Sequence, residues 1–291
     1  MRKVAIIMAG GKGERLWPVS TPERPKQFLP ILHPEKTMIQ LTAERILPII
    51  NYEYIFVVTN EAYGKLVNEQ LPKIPIGNVI LEPASKNTAP CIGLATGIIK
   101  NKFKNALVVV LASDHAISDN GLFLSDLEKG FNEAENNSII TIGIRPNRIE
   151  TDYGYIKVND SDSAVNKAEQ FVEKPDYDTA KNYLASGNYV WNSGMFIWKN
   201  SVIESCFQKY AKEIFELTAL VSKKGKVDND VRELFKLMPK ISIDHAIMEH
   251  AKDIYNIPAS FEWDDTGSWP AIERLSKLNL INESVMNRRH T

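Results

Sequence analysis

Short apolar runs rich in β-branched residues alternate with longer amphipathic stretches along the first half of the chain. The runs have the length and composition of strands, whereas apolar positions in the longer stretches recur at helical spacing. This alternation predicts an α/β fold with a mostly parallel sheet and helices on both faces. Strands are predicted at residues 4–8, 54–59, 79–81, 106–112 and 138–144, and helices at 37–47, 61–70, 88–101 and 122–136.

After about residue 145 the extended pieces become shorter and are separated by Gly and Pro. Helices are predicted there around residues 176–186, 201–210 and 242–251. The chain has no internal repeat and no long Pro, Gly or Ser linker, which indicates one catalytic unit and not two independent domains. That unit is predicted to span 1–280, with halves at about 1–145 and 146–280 and a C-terminal tail at 281–291.

Composition narrows the classes of protein that fit. The formal net charge of -1 lacks the basic excess that general nucleic-acid binding requires. Cys91 and Cys206 lie far apart, so neither a disulfide framework nor a zinc site is indicated, and a reducing cytoplasm fits. The apolar run at residues 4–8 is too short for a signal peptide, and no run approaches the ~20 residues of a membrane-spanning helix.

The first predicted strand leads into a glycine-rich loop, AGGKG at residues 9–13. Gly10, Gly11 and Gly13 allow backbone N-H groups to converge on a phosphate chain, although a plain tight turn would use the same residues. The loop lacks the third glycine of the dinucleotide-binding G-x-G-x-x-G pattern, and Lys12 precedes Gly13 where a P-loop would place its lysine after the glycine. Both familiar phosphate-binding motifs are therefore disfavoured.

Basic side chains follow the loop at Arg15, Arg24 and Lys26. Charge-assisted hydrogen bonds to phosphate contribute about 1.5 to 3 kcal/mol each, so Arg15 and Lys26 beside the loop amides suit a triphosphate and its pyrophosphate leaving group. Taken singly, each of these residues is more typical of a solvated surface charge.

The segment MAGGKGERLWP at residues 8–18, followed by PKQF at 25–28, resembles the opening of the sugar-nucleotide pyrophosphorylases, in their GDP-mannose pyrophosphorylase branch. This resemblance covers residues 4 to about 270 and implies the Rossmann-like fold of nucleotide-diphospho-sugar transferases, with nucleotide bound by the first half and sugar phosphate by the second. Further matches follow in the family's order: EPASKNTAP at 82–90, SDH at 113–115, YGYI at 153–156, FVEKP at 171–175, WNSGMF at 191–196, SID at 242–244 and WDDTGSW at 263–269.

The resemblance implies that Asp114 and Asp265 bind Mg²⁺. Asp114 follows the most apolar predicted strand, where open α/β sheets bind ligands, although a lone Asp there is also typical of a turn or helix cap. The family's Trp-x-Asp-x-Gly-x-Trp pattern selects Asp265 over Asp264. Mg²⁺ uses one or two carboxylates with phosphate oxygens and water, so His115 is expected to pack or hydrogen-bond and not to bind the metal.

Substrate contacts are also implied by the resemblance. It assigns Lys174 to the sugar phosphate and Glu173 to sugar hydroxyls, although Glu-Lys-Pro by itself is a common exposed turn. Further sugar contacts are expected from Tyr153, Gly154, Asn192 and Gly194, where the glycines could equally mark bulges or turns. Contacts near the base are expected from Glu82, Asn87 and Thr88, with a helix N-cap as the alternative for Asn87 and Thr88.

The function implied is guanylyl transfer, in which GTP and mannose 1-phosphate give GDP-mannose and pyrophosphate by Mg²⁺-assisted in-line attack on the α-phosphate. Because a phosphate monoester is already largely ionised at neutral pH, no general base is expected. The alternatives are transfer of uridylyl or thymidylyl groups to glucose 1-phosphate and a catalytically silent relative that senses a nucleotide sugar. A homodimer is one option for the assembly, and neither nucleic acid nor a membrane is expected as a partner.

Overall fold

The computed structural model describes residues 1–160, 163–278 and 280–287. Its strands are β1 (Arg2–Met8), β2 (Ile55–Asn60), β3 (Val79–Glu82), β4 (Ala106–Ala112), β5 (Ala116–Ile117), β6 (Ile139–Ile144), β7 (Tyr155–Val158), β8 (Asn166–Val172), β9 (Tyr189–Lys199), β10 (Ile254–Pro258) and β11 (Trp263–Asp264). The α-helices are α1 (Met38–Ile46), α2 (Gly64–Gln70), α3 (Thr88–Lys102), α4 (Asn120–Ala134), α5 (Tyr177–Ser186), α6 (Asn200–Tyr210), α7 (Lys212–Lys224), α8 (Asn229–Leu237), α9 (Trp269–Lys277) and α10 (Glu283–Asn287).

One nine-stranded sheet runs through both halves of the chain, in the order β3-β2-β1-β4-β9-β6-β10-β8-β7. The predicted α/β class is confirmed, and the predicted parallel pairing holds from β3 to β4. From β9 onward the sheet is mixed, because β9 is antiparallel to both β4 and β6. The long β9 thus inserts a strand from the second half of the chain between β4 and β6 of the first half.

The helices predicted from periodicity in the first half are present, with ends that differ by at most a few residues. The segment predicted as a helix at 242–251 contains instead a five-residue π-helix at Asp244–Met248. The sequence prediction did not include α7 and α8. The backbone of α7 approaches α3 so closely that a Cβ at Gly97 would lie 2.7 Å from the carbonyl oxygen of Thr218.

Topology brings distant segments to the carboxyl edge of the sheet. Parallel β1 and β4 end side by side, with Met8 opposite Ala112, so the glycine-rich loop and the turn after β4 share one edge. The short β11 pairs with β5 and places Asp264 opposite Ala116. The residues after β11 therefore lie beside the turn that follows β4.

The predicted C-terminal tail contains α10, and Val285 of that helix is buried in a small apolar cluster with Leu16 and Leu29. The Asn282 amide donates a hydrogen bond to the carbonyl oxygen of Ile31 at 2.8 Å. Residues 288–291 of this segment lie outside the described residues. Among the described helices, none combines the length and hydrophobicity needed to cross a membrane.

Candidate active site at the carboxyl edge of the sheet

Two of the predicted site residues, Asp114 and Asp265, meet around a third, Lys26. The Lys26 ammonium lies 3.0 Å from Asp114 Oδ2 and donates a hydrogen bond to the backbone oxygen of Asp265 at 3.0 Å. The Thr266 hydroxyl closes the group by donating to the backbone oxygen of Asp114 at 2.6 Å. Residues separated by up to 240 positions in sequence therefore converge at one point.

Electrostatics keep the first of these carboxylates charged. Burial acts to raise the pKa of Asp114, but the adjacent Lys26 ammonium, helped by His115, outweighs burial and lowers that pKa. The His115 ring packs edge-to-face on Trp263 at a centroid distance of 5.1 Å, in agreement with the packing role expected for it. Asp114 is thus an anion held beside a cation.

The two neighbouring aspartates of the WDDTGSW segment occupy different environments. Asp264 is 5% exposed and is bound by Arg274, whose nitrogens lie 2.8 and 3.2 Å from Asp264 Oδ2. Asp265 Oδ1 accepts hydrogen bonds from the Gly267 amide at 2.8 Å and from the Tyr153 hydroxyl at 3.1 Å. No described residue donates a hydrogen bond to Asp265 Oδ2, so of these two aspartates only Asp265 has a carboxylate oxygen available to a ligand.

Tyr153 is enclosed by aromatic rings and faces Asp265. Its ring packs edge-to-face on Trp191 and Trp263 at 5.3 and 5.2 Å. Burial, reinforced by the charge of Asp265, raises the pKa of the Tyr153 phenol, which keeps it protonated as a donor. The Arg148 guanidinium also stacks on the Trp191 ring, 4.6 Å from its centroid. The structure thus places Tyr153 as a support for Asp265, and contact with a sugar remains a prediction.

The glycine-rich loop is held on its buried side by Gln27, which is 1% exposed. Its side-chain amide donates to the backbone oxygens of Ala9 at 3.1 Å and Gly11 at 2.8 Å. The Thr59 hydroxyl also donates to Ala9 at 2.8 Å. Because these carbonyls are directed into the protein, the loop is fixed in a defined conformation before any ligand binds.

Gly13 is required by the turn that ends the loop. Its φ of +66° lies in the left-handed region, and a Cβ there would lie 2.4 Å from Ser20 Oγ and 3.0 Å from the Lys26 backbone nitrogen. Arg15 follows with a side chain that is 62% exposed and lies 3.5 Å from Asp152. Its guanidinium also lies within 2.8 Å of the position that a Cβ on Gly267 would take. Arg15 is thus at the rim of the group formed by Lys26 and Asp265.

The segment assigned to the base lies beside the same loop. Glu82 is 6% exposed, and its Oε2 lies 3.0 Å from the position that a Cβ on Gly10 would take. Burial raises the pKa of Glu82 to about 7. Asn87 caps α3 by accepting from the Thr88 amide at 2.8 Å, and the Thr88 hydroxyl accepts from the Ile243 amide at 2.8 Å. Asn87 is therefore the N-cap of α3, and contact of Asn87 and Thr88 with the base stays a prediction.

The residues assigned to the sugar form a second group. The Asn192 side chain donates to Asp244 Oδ1 at 2.7 Å, and its oxygen accepts from the Gly194 amide at 3.0 Å. Glu173 Oε2 lies 3.0 Å from the position that a Cβ on Gly154 would take. Lys174 forms an ion pair with Glu173 and has a φ of +36°, a strained value for a lysine.

Sequence reasoning missed three residues of this site. Gln27 and Asp244 belong to the matched segments PKQF and SID, so their signal was present but no role was assigned. Arg148 carried no signal in the sequence, because its contacts with Trp191 and Asp264 exist only after folding.

The donor chemistry of Asp114 and Asp265 fits the expected Mg²⁺. Both offer hard oxygen ligands, and one oxygen of Asp265 has no donor among the described residues. The described part of the chain contains no group of three or more His, Cys, Asp or Glu side chains that could hold a metal. A pair of carboxylates matches Mg²⁺, which completes its coordination with phosphate oxygens and water.

Curated bacterial proteins are similar to this chain in sequence. A mannose-1-phosphate guanylyltransferase from Salmonella muenchen is 38% identical over 94% of this chain and 59% of its own length. Another from Escherichia coli (strain K12) is 38% identical over 98% of this chain and 63% of its own length. This chain thus spans about three fifths of the length of these curated relatives.

A solved structure gives the same result for the fold. It is described as a mannose-1-phosphate geranyltransferase from Thermus thermophilus, and it superposes with a TM-score of 0.87 at 33% identity. The match covers 95% of this chain and 79% of that one. The family described as "Nucleotidyl transferase" matches residues 4–280. The chain therefore belongs to the nucleotidyl transferase family.

Proposed function

We propose that the chain transfers a guanylyl group from GTP to α-D-mannose 1-phosphate and releases pyrophosphate. An oxygen of the sugar phosphate attacks the α-phosphorus of GTP, and the bond from that phosphorus to the oxygen bridging the β-phosphate breaks. The observation that carries the proposal is the convergence of Lys26, Asp114 and Asp265 beside the glycine-rich loop. The identity with relatives named for this reaction supports the choice of base and sugar.

The site divides into two ends. The phosphate end comprises the loop with Arg15, Lys26, Asp114 and Asp265, and the sugar end comprises Glu173, Lys174, Asn192 and Asp244 with the glycines at 154 and 194. In this assignment Asp265, from the second half of the chain, contributes to the phosphate end through its contact with Lys26.

At the phosphate end, Lys26 and Arg15 neutralise the triphosphate while the loop amides donate to its oxygens. Asp114 and Asp265 would hold Mg²⁺, which supplies charge neutralisation on the phosphates when bound. Lys174 binds the sugar phosphate, which needs no general base because its second pKa lies near 6. The chemistry therefore rests on positioning and charge neutralisation.

Nucleobase and compartment complete the proposal. Glu82 faces the base, where an ionised carboxylate would accept from the N-H donors that guanine carries. Two cysteines without a disulfide and soluble substrates suit the cytoplasm.

A matrix of triphosphates and sugar phosphates tests the proposal directly. The purified chain is assayed for pyrophosphate release with GTP, ATP, UTP and dTTP, each with mannose 1-phosphate and glucose 1-phosphate, and the product is identified by mass. We expect the highest kcat/KM with GTP and mannose 1-phosphate, loss of activity with a chelator and recovery with Mg²⁺. A higher kcat/KM with UTP or dTTP and glucose 1-phosphate would instead support the alternative function, transfer of a uridylyl or thymidylyl group to glucose 1-phosphate. Binding of GDP-mannose without turnover of any pair would identify a silent relative.

A further inference from the structure

Asp244 is a partly buried carboxylate at the sugar end, and the proposed reaction assigns it no role of its own. It begins the π-helix at Asp244–Met248, and such short π-helical segments occur frequently at functional sites. No side chain caps the first turn of this π-helix, and the His245 amide donates to Ser242 Oγ at 3.2 Å and not to Asp244. The carboxylate of Asp244 is therefore not explained by capping its own helix.

The partners of Asp244 leave part of its carboxylate unsatisfied. Asn192 donates to Oδ1 at 2.7 Å, whereas no described residue donates a hydrogen bond to Oδ2. Among the described residues Asp244 also forms no ion pair, and the nearby Lys174 ammonium is engaged by Glu173. Burial raises the pKa of Asp244, and the charge of Glu173 adds to that effect. Burying a carboxylate without enough hydrogen-bond donors is unfavourable in free energy, unless a ligand supplies the missing donors.

The surroundings of Asp244 indicate what kind of ligand that is. Asn192 is held at both ends of its amide, by Gly194 and by Asp244, so its orientation is fixed before a ligand arrives. Glu173 and Asn192 both lie beside Gly154, since a Cβ on Gly154 would lie 3.0 Å from Glu173 Oε2 and 3.5 Å from Asn192 Cβ. Two carboxylates and an oriented amide in one region present mostly acceptors, which suits a ligand with several hydroxyl groups.

The position of Asp244 is also tied to the base segment. The Ile241 amide donates to the carbonyl of Lys86 at 3.2 Å, the Ala89 amide donates back to Ile241 at 3.1 Å, and the Ile243 amide donates to the Thr88 hydroxyl. Asp244 is thus held on the same rigid support as α3, and not on a free loop.

We propose that Asp244 is a specificity-determining residue that accepts a hydrogen bond from a hydroxyl group of the hexose. Its Oδ1 orients the Asn192 amide, and its Oδ2 accepts the hydrogen bond from the sugar hydroxyl. This inference rests on the proposed function, since it names a residue that selects the sugar at the same site.

Asp244→Asn tests the inference, because an amide oxygen can still accept from Asn192 while the charge is lost. With saturating GTP, kcat/KM is measured for mannose 1-phosphate and for its 2-, 3-, 4- and 6-deoxy analogues. We expect the variant to lose about 10- to 100-fold with mannose 1-phosphate, and the KM for GTP to change by less than about twofold. The analogue that lacks the hydroxyl bound by Asp244 should lower kcat/KM of the wild type by a similar factor. The same analogue should lower kcat/KM of the variant only a little, because the variant has already lost that contact.

The inference would be overturned if the effects of the substitution and of each missing hydroxyl on kcat/KM were additive for every analogue. It would also be overturned if the variant had the kcat/KM of the wild type. Glu249→Gln is the control, since it removes an acid from the same region that is paired with His245 at the surface. Thermal unfolding of each variant separates misfolding from lost recognition. If the wild type prefers another sugar phosphate, the proposed function fails, and the deoxy series of that sugar still decides the role of Asp244.

Discussion

The two ends of the site hold their lysines very differently. The Lys26 side chain is 12% exposed and its ammonium is surrounded by oxygens of Asp114, Asp265 and Thr266, whereas the Lys174 side chain is 57% exposed and pairs with adjacent Glu173. A buried cation with several partners keeps its geometry, while an exposed ion pair is weak and readily exchanged. Under the proposed function, the phosphate end is therefore formed before substrate binds, and the sugar end would exchange its internal ion pair for contacts with substrate.

This contrast predicts that changes at the phosphate end lower kcat or raise the KM for GTP, whereas changes at the sugar end raise the KM for the sugar phosphate. Substitutions of Asp265, Lys174 and Gln27 and the pH profile governed by Glu82 test the contrast, and they are ordered by the size of the expected effect.

Asp265→Asn should lower kcat by at least about 1000-fold, because it removes the proposed metal ligand while its amide oxygen can still accept from Gly267. Steady-state kinetics at several Mg²⁺ concentrations measure this. Asp264→Asn is the matched control one residue away. It should destabilise the fold by about 2 to 3 kcal/mol, since it leaves Arg274 without its charged partner, and retain more activity below its melting temperature. The opposite ranking would exchange the roles of the two aspartates.

Lys174→Ala should lower kcat/KM for the sugar phosphate by about 30- to 1000-fold, equivalent to about 2 to 4 kcal/mol of transition-state stabilisation. The KM for GTP should change little. Its unfolding free energy should stay within about 0.5 kcal/mol of the wild type, because the exposed pair with Glu173 contributes little. Kinetics resembling the wild type would refute the assignment of Lys174 and with it the contrast between the two ends.

Gln27→Glu should raise the KM for GTP by about 10- to 100-fold, because a carboxylate cannot donate to the two loop carbonyls and repels them. The KM for the sugar phosphate should be nearly unchanged. Gln27→Met removes the donors without adding charge and should have a smaller effect. Equal changes in the two KM values would show that the residue supports the fold in general and not the loop.

The pH dependence of Glu82 is the smallest effect expected. Since burial raises its pKa from 4.5 to about 7, the carboxylate able to accept from guanine forms only as the pH rises through about 7. We expect kcat/KM for GTP to increase by about tenfold from pH 6 to pH 8. Glu82→Gln should remove this dependence, and an unchanged profile in that variant would exclude Glu82 as its source.

The same group affects stability with a defined sign. The folded state retains the Glu82 proton between pH 4.5 and about 7, where the unfolded state has lost it. Protonated Glu82 therefore makes its full contribution to the free energy of unfolding below pH 4.5. As the pH rises toward 7, the free energy of unfolding falls by about 2 to 3 kcal/mol. Denaturant unfolding of the wild type and of Glu82→Gln at pH 5 and pH 8 measures the difference.

Local patterns were sufficient for the elements and the chemistry of the first half. The apolar run that became β4, the helical spacing of α3 and the loop at 9–13 follow from interactions between near neighbours in sequence. The α/β class follows from their alternation, because parallel strands need helical crossovers. The sequence also showed the motifs that contain the site aspartates and lysines, and these motifs indicated the family.

Tertiary structure alone decided which of these residues meet and which are already engaged. The pairing of β11 with β5 brings Asp265 to Asp114, and the antiparallel β9 joins the two halves in one sheet. The ion pair that occupies Asp264 and the hydrogen bond that links Asn192 to Asp244 depend on contacts that only the folded chain makes. Such contacts leave no local pattern, because their free energy arises only when folding buries the groups together.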